Sequence, residues 1–404
     1  MAAKESTFKR RLKNIGPGAI VGAAIIGPGT VTTASNVGAE FGYALIWALV
    51  FSIIATMFLQ EMVTRLGVIT RKDLSTILRE QFTSPVLKWL TILLIIAAIV
   101  IGSAAYEAGN IVGGAIGMAE ITGLPNNVVS IMIGVAAGLL LWIGRYKVIE
   151  RIFVIMIILM SLSFILTAIV VRPDVSAIFA EGFVPTVSSG NVLLIISLIG
   201  TTIVPYTLFL QSSTVQERFS GEAELKDSRF DVILTMAVCG IMSVAIIITA
   251  AVAFPIGTTI NDPGAMAEQL QPLLGSWAKY VFAFGIFAAG ITSSMTAPLA
   301  AAYATSGAMG WGKDLRSPKF RAVWMGILII GIIFSGMGYD PIQLIVFAQY
   351  ANGLILPIIV LFLMFAMNNS KTLRGHTNTL WINIAGWLIF AITVMLSLIS
   401  FGLF

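Results

Sequence analysis

Hydrophobic residues run along most of this chain in long segments, and short polar segments separate them. Eleven of these segments are long enough to cross the roughly 30 Å hydrocarbon core of a membrane as a helix. We number them spans 1 to 11, and in chain order they cover residues 15–40, 43–66, 86–119, 126–143, 148–171, 191–216, 230–254, 276–308, 320–337, 341–367 and 379–402. The pattern predicts an all-α integral membrane protein in which residues 1–404 form a single transmembrane domain.

Composition and charge agree with this prediction and add an orientation. Of the 404 residues, 58% are hydrophobic and 11% are charged, whereas soluble proteins carry about 25% charged residues. With a cytoplasmic N-terminus, 22 of the 24 Lys and Arg residues fall inside, and only Arg172 and Lys279 fall outside. Cytoplasmic loops are enriched in Lys and Arg, so we predict a multi-pass plasma (inner) membrane protein with its C-terminus outside. The net charge of +5 thus reports topology, and we expect no nucleic-acid partner.

Two spans contain a proline near their middle, beside residues that do not favour a continuous helix. Span 1 contains Gly27-Pro28-Gly29-Thr30, and span 6 contains Val204-Pro205-Tyr206-Thr207. Proline removes a backbone N–H group and clashes with the preceding turn. Inside a membrane, freed backbone groups are tolerated only where protein or a water-filled cavity satisfies them. Interrupted spans at corresponding positions of two halves indicate the substrate site of a transporter.

The positions of the two breaks also predict an internal repeat. Residues 15–171 and 191–367 each contain five spans, and the break lies at a similar depth in the first span of each unit. Because five is odd, the second unit is inverted relative to the first in the membrane. We therefore predict a 5+5 inverted repeat, followed by one additional helix at residues 379–402.

Ionisable residues are scarce inside the spans, and such residues are candidates for function by default. Glu107 is the only acid deep within a span, and Asn110 lies one turn further along the same helix. Glu107 either serves the substrate or makes a structural hydrogen bond. Glu61 lies four residues before Arg65 near the predicted cytoplasmic end of span 2, and an ion pair within the helix explains that acid.

The single histidine, His376, lies in the loop between spans 10 and 11, so no imidazole lies within a span. This argues against a zinc, copper or iron site and against an activated nucleophile; we expect neither an enzyme nor a bound cofactor. The breaks carry neutral oxygen donors of Thr, Tyr, Asn and Gln instead. One carboxylate among neutral oxygens suits a hydrated hard cation such as Mg²⁺, although hydroxyl groups also serve ordinary helix packing.

Several motifs resemble those of the Nramp (natural resistance-associated macrophage protein) transporters. The similarity extends over most of the chain. It is carried by Gly27-Pro28-Gly29-Thr30, Phe41-Gly42-Tyr43, Arg65-Leu66-Gly67-Val68-Ile69-Thr70, Gly113-Gly114-Ala115-Ile116, Gly123-Leu124-Pro125, Val204-Pro205-Tyr206-Thr207 and Ala348-Gln349. The resemblance implies a LeuT/APC-like fold with broken helices 1 and 6.

At both breaks the chain departs from the family pattern. Ordinary Nramp proteins carry Asp-Pro-Gly-Asn on helix 1, where the present chain has Gly27 at the Asp position and Thr30 at the Asn position. They carry Met-Pro-His-Asn on helix 6, where this chain has Val204, Tyr206 and Thr207 at the Met, His and Asn positions. The carboxylate, the thioether and the imidazole associated with transition-metal binding and proton coupling are therefore missing from the two breaks.

Other family positions are retained or changed in charge. The Asp and Glu of helix 3 in the family correspond to Glu107 and Asn110, and a helix 10 glutamine that approaches the metal corresponds to Gln349. Main-chain oxygens used by the family correspond to Ala24 and Thr201. We thus expect the metal site to comprise these five residues and the break residues Gly27, Thr30, Val204 and Tyr206.

The pattern is similar to the magnesium-transporter branch of the Nramp superfamily. That resemblance implies transport of Mg²⁺ and Mn²⁺ as largely hydrated ions, by alternating access and without proton coupling. We expect no obligate protein partner beyond the lipid bilayer. A carrier of a small organic solute such as an amino acid remains an alternative on the same fold, and a cation channel is a further one.

Overall fold

The computed structural model describes residues 17–81, 84–144, 147–312 and 314–402, and within these ranges the secondary structure is entirely helical. Ten helical segments have the length and hydropathy needed to cross a membrane, and they match predicted spans 2 to 11. The continuous spans are Ile46–Thr70, Pro85–Thr122, Asn126–Ile143, Lys147–Val170, Leu225–Ala253, Ala278–Met309, Pro318–Gly336, Pro341–Met367 and Leu380–Ser400. The N-terminal basic residues used in the orientation prediction lie outside the described ranges.

Spans 1 and 6 are each divided into two helices at the predicted breaks. Span 1 comprises Pro17–Ile25 and Pro28–Phe41, and span 6 comprises Val192–Thr202 and Pro205–Arg218. In both, an extended residue precedes a proline that begins the second helix: Gly27 has ψ 179° and Val204 has ψ 116°. A residue before proline avoids the helical region, and proline is well tolerated at the first helical position.

Spans 3 and 8 cross closely at the centre of the molecule because both carry glycine there. A Cβ atom on Gly290 of span 8 would lie 2.3 Å from the Cα atom of Gly114 on span 3. A Cβ atom on Gly117, one turn further along span 3, would lie 2.2 Å from the carbonyl oxygen of Ala283. Small residues let membrane helices approach closely. The crossing therefore fixes which residues of the two spans meet on either side of it.

The contacts of spans 3 and 8 with their neighbours are paired, because each of the two packs on the last two spans of the other five-span unit. Span 3 packs on spans 9 and 10, and span 8 packs on spans 4 and 5. Span 7 packs against span 2 and against the second helix of span 1, while span 10 packs against the first helix of span 6. One continuous buried apolar core runs through these contacts.

The connecting segments contain short helices that the hydrophobic pattern did not predict. They are Leu74–Gln81, Val175–Gly182, Glu222–Glu224, Pro263–Leu270, Gln271–Leu274, Gly275–Trp277 and Ser370–Leu373. The segment Pro263–Leu270 contributes Gln269, which is fully buried and donates a hydrogen bond of 2.8 Å to Ser35 on span 1. The loop between spans 7 and 8 thus holds the second helix of span 1 in place.

The predicted ion pair of span 2 is confirmed and belongs to a larger network. Arg65 contacts Glu61 at 3.2 Å and also donates to the backbone oxygens of His376 and Thr377. Glu61 in turn contacts Arg229 of span 7 at 2.7 Å. These contacts join span 2 to span 7 and to the loop between spans 10 and 11.

Candidate functional site

At each of the two breaks, one backbone carbonyl lacks its helical hydrogen-bond donor. In a continuous helix, the carbonyl of Ala24 would accept a hydrogen bond from residue 28, and that of Thr201 would accept one from residue 205. Both donors are absent because residues 28 and 205 are prolines. Two main-chain oxygens at equivalent places are therefore available to a ligand.

A hydrogen bond between threonines joins the two breaks. The hydroxyl of Thr30 donates to the carbonyl of Ile25 at 2.6 Å, which satisfies an acceptor at the end of the first helix of span 1. The oxygen of Thr30 also lies 2.9 Å from the hydroxyl oxygen of Thr201 on span 6. Since the Thr30 proton goes to Ile25, Thr201 is the donor in this second bond.

Gln349 of span 10 lies between the breaks. A Cβ atom on Gly29 would come within 2.1 Å of its side-chain nitrogen, and a Cβ atom on Gly200 would come within 2.0 Å of its backbone oxygen. Both glycines are therefore needed for the approach of span 10 to spans 1 and 6. The side-chain amide of Gln349 is fully buried and makes no hydrogen bond within the described residues.

The two polar residues of span 3 face different neighbours. Asn110 faces the first break, with its Oδ1 atom 3.9 Å from where a Cβ atom of Gly27 would stand. The Cβ and Cγ atoms of Glu107 lie against span 9, where a Cβ atom on Gly331 would lie 2.5 Å from its Cγ atom. Ser294 of span 8 and Asn110 lie beside the Glu107 carboxylate, yet neither of its oxygens completes a hydrogen bond among the described residues.

An aromatic pair closes the site on the side of span 6. The ring of Tyr206 meets the ring of Tyr106 on span 3 edge to face, with centroids 5.4 Å apart and planes inclined by 74°. Val204, which precedes Pro205, is fully buried and presents an apolar side chain. Both tyrosine hydroxyls are buried without a hydrogen-bond partner in the described part of the chain.

Three residues at the site were missed by the sequence analysis: Tyr106, Ser293 and Ser294. All three are fully buried. The serines lie on span 8, one turn from the glycine crossing with span 3, and their hydroxyl oxygens have no partner within the described residues. A serine in an apolar span reads as ordinary packing, so only the three-dimensional contact between spans 3 and 8 identifies them.

All nine predicted site residues are buried, and the side chains at the site are mostly neutral. Glu107 supplies the one carboxylate among them, and no group of three or more His, Cys, Asp or Glu side chains that could hold a metal ion occurs in the described ranges. A buried polar atom without a partner costs about 1–3 kcal/mol. The site therefore favours a polar ligand that supplies both hydrogen-bond donors and positive charge.

A family model described as natural resistance-associated macrophage protein-like, abbreviated Nramp, matches residues 18–402. This chain belongs to the Nramp family. Nramp proteins are transporters rather than enzymes and need no cofactor, which confirms the family and the class of protein that the sequence motifs predicted. The magnesium-transporter branch within the family remains a prediction.

The Nramp chain resembles full-length relatives. It is 27% identical over 403 residues to the divalent metal cation transporter MntH of Klebsiella pneumoniae (strain 342), covering 98% of this chain and 95% of the relative. It is 26% identical over 403 residues to MntH of Bacillus subtilis (strain 168), covering 96% of this chain and 92% of the relative.

Solved structures confirm the fold. A mutant of the Eremococcus coleocola manganese transporter aligns with a TM-score of 0.79 at 21% identity, covering 99% of this chain and 88% of that one. The structure of MhsT in complex with L-phenylalanine aligns with a TM-score of 0.61 at 14% identity, covering 96% and 97% of the two chains. The Nramp chain thus has the predicted LeuT/APC-like architecture.

The site of this Nramp chain is closed to solvent. Glu107 and Gln349 have no exposed surface, and Thr30 and Tyr206 are 1% exposed. A cavity of about 820 Å³ lies elsewhere, between the ends of spans 1 and 10, and acidic and amide side chains line it with apolar ones. Its polar lining includes Asn36, Glu40, Asp340 and Gln343.

Proposed function

We propose that this Nramp chain carries Mg²⁺, and also Mn²⁺, across the membrane as a largely hydrated ion, without coupling to protons. The observation that carries the proposal is the composition of the buried site. One carboxylate, Glu107, accompanies several neutral oxygen and amide groups that have no partner of their own. No basic side chain bonds that carboxylate within the described residues, so a cation is the charge that suits it.

The identity of the cation follows from the ligand chemistry. Mg²⁺ binds few protein carboxylates, keeps several of its waters and loses them reluctantly. In our proposal Glu107 supplies charge, while Thr30, Tyr206, Gln349 and Asn110 orient the waters of the ion. The carbonyls of Ala24 and Thr201 accept from further waters, and Gly27 and Val204 leave room where the family has a carboxylate and a thioether. A soft sulfur ligand would favour a transition metal instead.

The named relatives support a divalent cation as the substrate class. The relatives from Klebsiella pneumoniae and Bacillus subtilis are named divalent metal cation transporters, and the Eremococcus coleocola protein is named a manganese transporter. The site of this chain has no sulfur or imidazole group at its two breaks, and this supports the finer assignment to Mg²⁺ within the same family.

Transport by alternating access suits a site that is sealed on both sides. We propose that residues 15–171 and 191–367 are inverted repeats, which the paired contacts of spans 3 and 8 support. We also propose that the N-terminus is cytoplasmic, so that the cavity beside Glu40 and Asp340 is the external vestibule. The helix at residues 379–402 lies outside both repeats.

The membrane potential is sufficient to drive uptake. Moving one elementary charge across 100 mV releases about 2.3 kcal/mol, so a divalent ion gains about 4.6 kcal/mol. Proton coupling requires a titratable group whose proton the ion displaces. The break residues in this chain are Gly27, Thr30, Val204 and Tyr206. The second acidic position of span 3 in the family is the neutral Asn110 in this chain.

The proposal is tested by uptake into proteoliposomes with internal pH recorded at the same time. We expect Mg²⁺ uptake that depends on an inside-negative potential and leaves the internal pH unchanged. Absence of Mg²⁺ uptake, or acidification in proportion to it, would contradict the proposal. Thermal stabilisation by an amino acid but not by Mg²⁺ would favour the organic-solute carrier, and single-channel currents would favour the channel.

A further inference from the structure

Three oxygen atoms lie around Gly27 at the first break. A Cβ atom built on Gly27 would lie 3.1 Å from the hydroxyl oxygen of Ser293, 3.8 Å from the carbonyl oxygen of Ala24 and 3.9 Å from Oδ1 of Asn110. These three atoms come from spans 8, 1 and 3. They converge where the side chain of any other residue would begin.

Each of these oxygens is available as an acceptor. Ser293 is fully buried and Asn110 is 1% exposed, and the side-chain oxygens of both have no partner in the described part of the chain. Pro28 removes the helical donor for the Ala24 carbonyl. The close crossing of Gly114 and Gly290 brings span 8 near enough to span 3 for Ser293 to face the break.

We propose that the oxygens of Ser293, Asn110 and the Ala24 carbonyl hold one water molecule of the ion's hydration shell next to Gly27 when the ion is bound, and that Ser293 thereby determines ion selectivity. The inference rests on the proposed transport of a hydrated cation. A buried water typically makes two to four hydrogen bonds. A water bound to a divalent cation directs both protons outward, so it can donate one to Ser293 and the other to Asn110 or to the Ala24 carbonyl.

The proposal gives Ser293 a different effect on different ions. Mg²⁺ is small and releases its waters reluctantly, so an interaction made through a bound water matters most for Mg²⁺. Mn²⁺ exchanges water for protein ligands more readily and can compensate with direct contacts to Gln349 or Thr201. Loss of the Ser293 hydroxyl should therefore weaken Mg²⁺ transport more than Mn²⁺ transport.

A double-mutant cycle on the full-length protein tests the shared water. Ser293→Ala removes one acceptor, and Gly27→Ala places a methyl group among the three oxygens, 3.1 Å from the hydroxyl oxygen of Ser293, where it displaces the water. We expect either change to raise the half-saturating Mg²⁺ concentration about tenfold, the value for one charge-assisted hydrogen bond. The double variant should be no worse than the more affected single variant, because both changes displace the same water.

Ser306→Ala is the matched control, since Ser306 is a buried serine on the same span whose hydroxyl oxygen has no partner in the described ranges. Ser306 lies 13 residues further along the helix, about 20 Å away, so the half-saturating Mg²⁺ concentration of this variant should not change. Ser293→Cys keeps the volume while weakening the acceptor, and it replaces Ser293→Ala if the latter does not fold.

The outcomes separate this inference from the proposed function. If Ser293→Ala behaves like Ser306→Ala, or if the effects of Gly27→Ala and Ser293→Ala multiply, the inference of a shared water is wrong even though Mg²⁺ is transported. If the unaltered protein carries Mn²⁺ but no Mg²⁺, the proposed function is wrong. The same cycle measured with Mn²⁺ then decides the water site, because two multiplying effects would again exclude it.

Discussion

Replacing Glu107 by Gln tests whether the buried carboxylate supplies the charge for the ion. The substitution keeps the size and hydrogen-bonding shape of the side chain and removes its negative charge. Glu107 is fully buried, and its oxygens bond no other group in the described part of the protein. A structural carboxylate would leave partners unpaired when neutralised, but this one would not. The metal-free protein should therefore be no less stable after the change.

The size of the binding loss follows from electrostatics. With one water layer between them, the carboxylate and a divalent ion lie about 5 Å apart, and their attraction is about 6–7 kcal/mol at an effective dielectric constant of about 20. The neighbouring dipoles of Asn110 and Ser294 reorient in the variant and offset part of the lost attraction. Losing one partner of a buried charge pair costs about 2–5 kcal/mol. We expect about 3 kcal/mol, roughly a hundredfold rise in Kd.

Thermal unfolding in detergent measures both effects in one experiment. At a Mg²⁺ concentration about 100 times the Kd of the unaltered protein, binding stabilises the fold by about 2.7 kcal/mol, and a hundredfold weaker site would give only about 0.4 kcal/mol. Glu61→Gln is the matched control, because Glu61 pairs with Arg65 and Arg229. It should lower metal-free stability and keep the Mg²⁺ response. The reasoning is refuted if Glu107→Gln keeps that response, or if it loses metal-free stability to the same extent as Glu61→Gln.

Three further predictions concern the breaks and the network at Arg65. Pro28→Ala and Pro205→Ala each return a backbone N–H group that can donate to the Ala24 or Thr201 carbonyl. Mg²⁺ uptake should therefore fall at least about tenfold, the effect of losing one acceptor for the ion, while thermal stability is kept. Unchanged uptake would exclude a role for those oxygens. Gly27→Asp combined with Val204→Met should not produce proton-coupled Mn²⁺ transport, because Tyr206 still replaces the family's histidine, and internal acidification during Mn²⁺ uptake would contradict this. Arg65→Met should lower the free energy of unfolding by about 3–5 kcal/mol, because the backbone oxygens of His376 and Thr377 and the side-chain oxygen of Asn378 lose their donor at about 1–3 kcal/mol each, while Glu61 keeps Arg229. Lys72→Met, which removes an exposed pair with Glu80 at 2.6 Å, should change it by less than about 1 kcal/mol. Equal changes in the two variants would show that the Arg65 network is unimportant.

The fold was predictable because its main constraints are local in sequence. The length of each hydrophobic segment gives a span, and a proline with its preceding residue gives a break. The breaks occur after Ile25 and after Thr202, within three residues of Pro28 and Pro205. The short helices between spans were not predicted, since an eight-residue helix such as Leu74–Gln81 owes its stability to packing against neighbouring spans.

The site was predictable only in part, for a reason that Ser293 and Glu107 illustrate. The main-chain oxygens of Ala24 and Thr201 and the side chain of Gln349 were expected from the resemblance to the family. The position of Ser293 depends on the crossing of spans 3 and 8 at Gly114 and Gly290, which no local pattern encodes. The contact of the Glu107 Cβ and Cγ atoms with Gly331 likewise depends on how closely span 9 approaches.

The two carbonyls freed by Pro28 and Pro205 bear on how such a protein can change over evolution. Every amino acid has a backbone oxygen, so no substitution at residue 24 or 201 deletes these two acceptors. Selection can exchange the side chains around them, as at Gly27 and Val204, while the central frame persists through each intermediate sequence. Under the proposed function, new cargo preferences can then arise through single replacements without a stage at which both main-chain acceptors are absent.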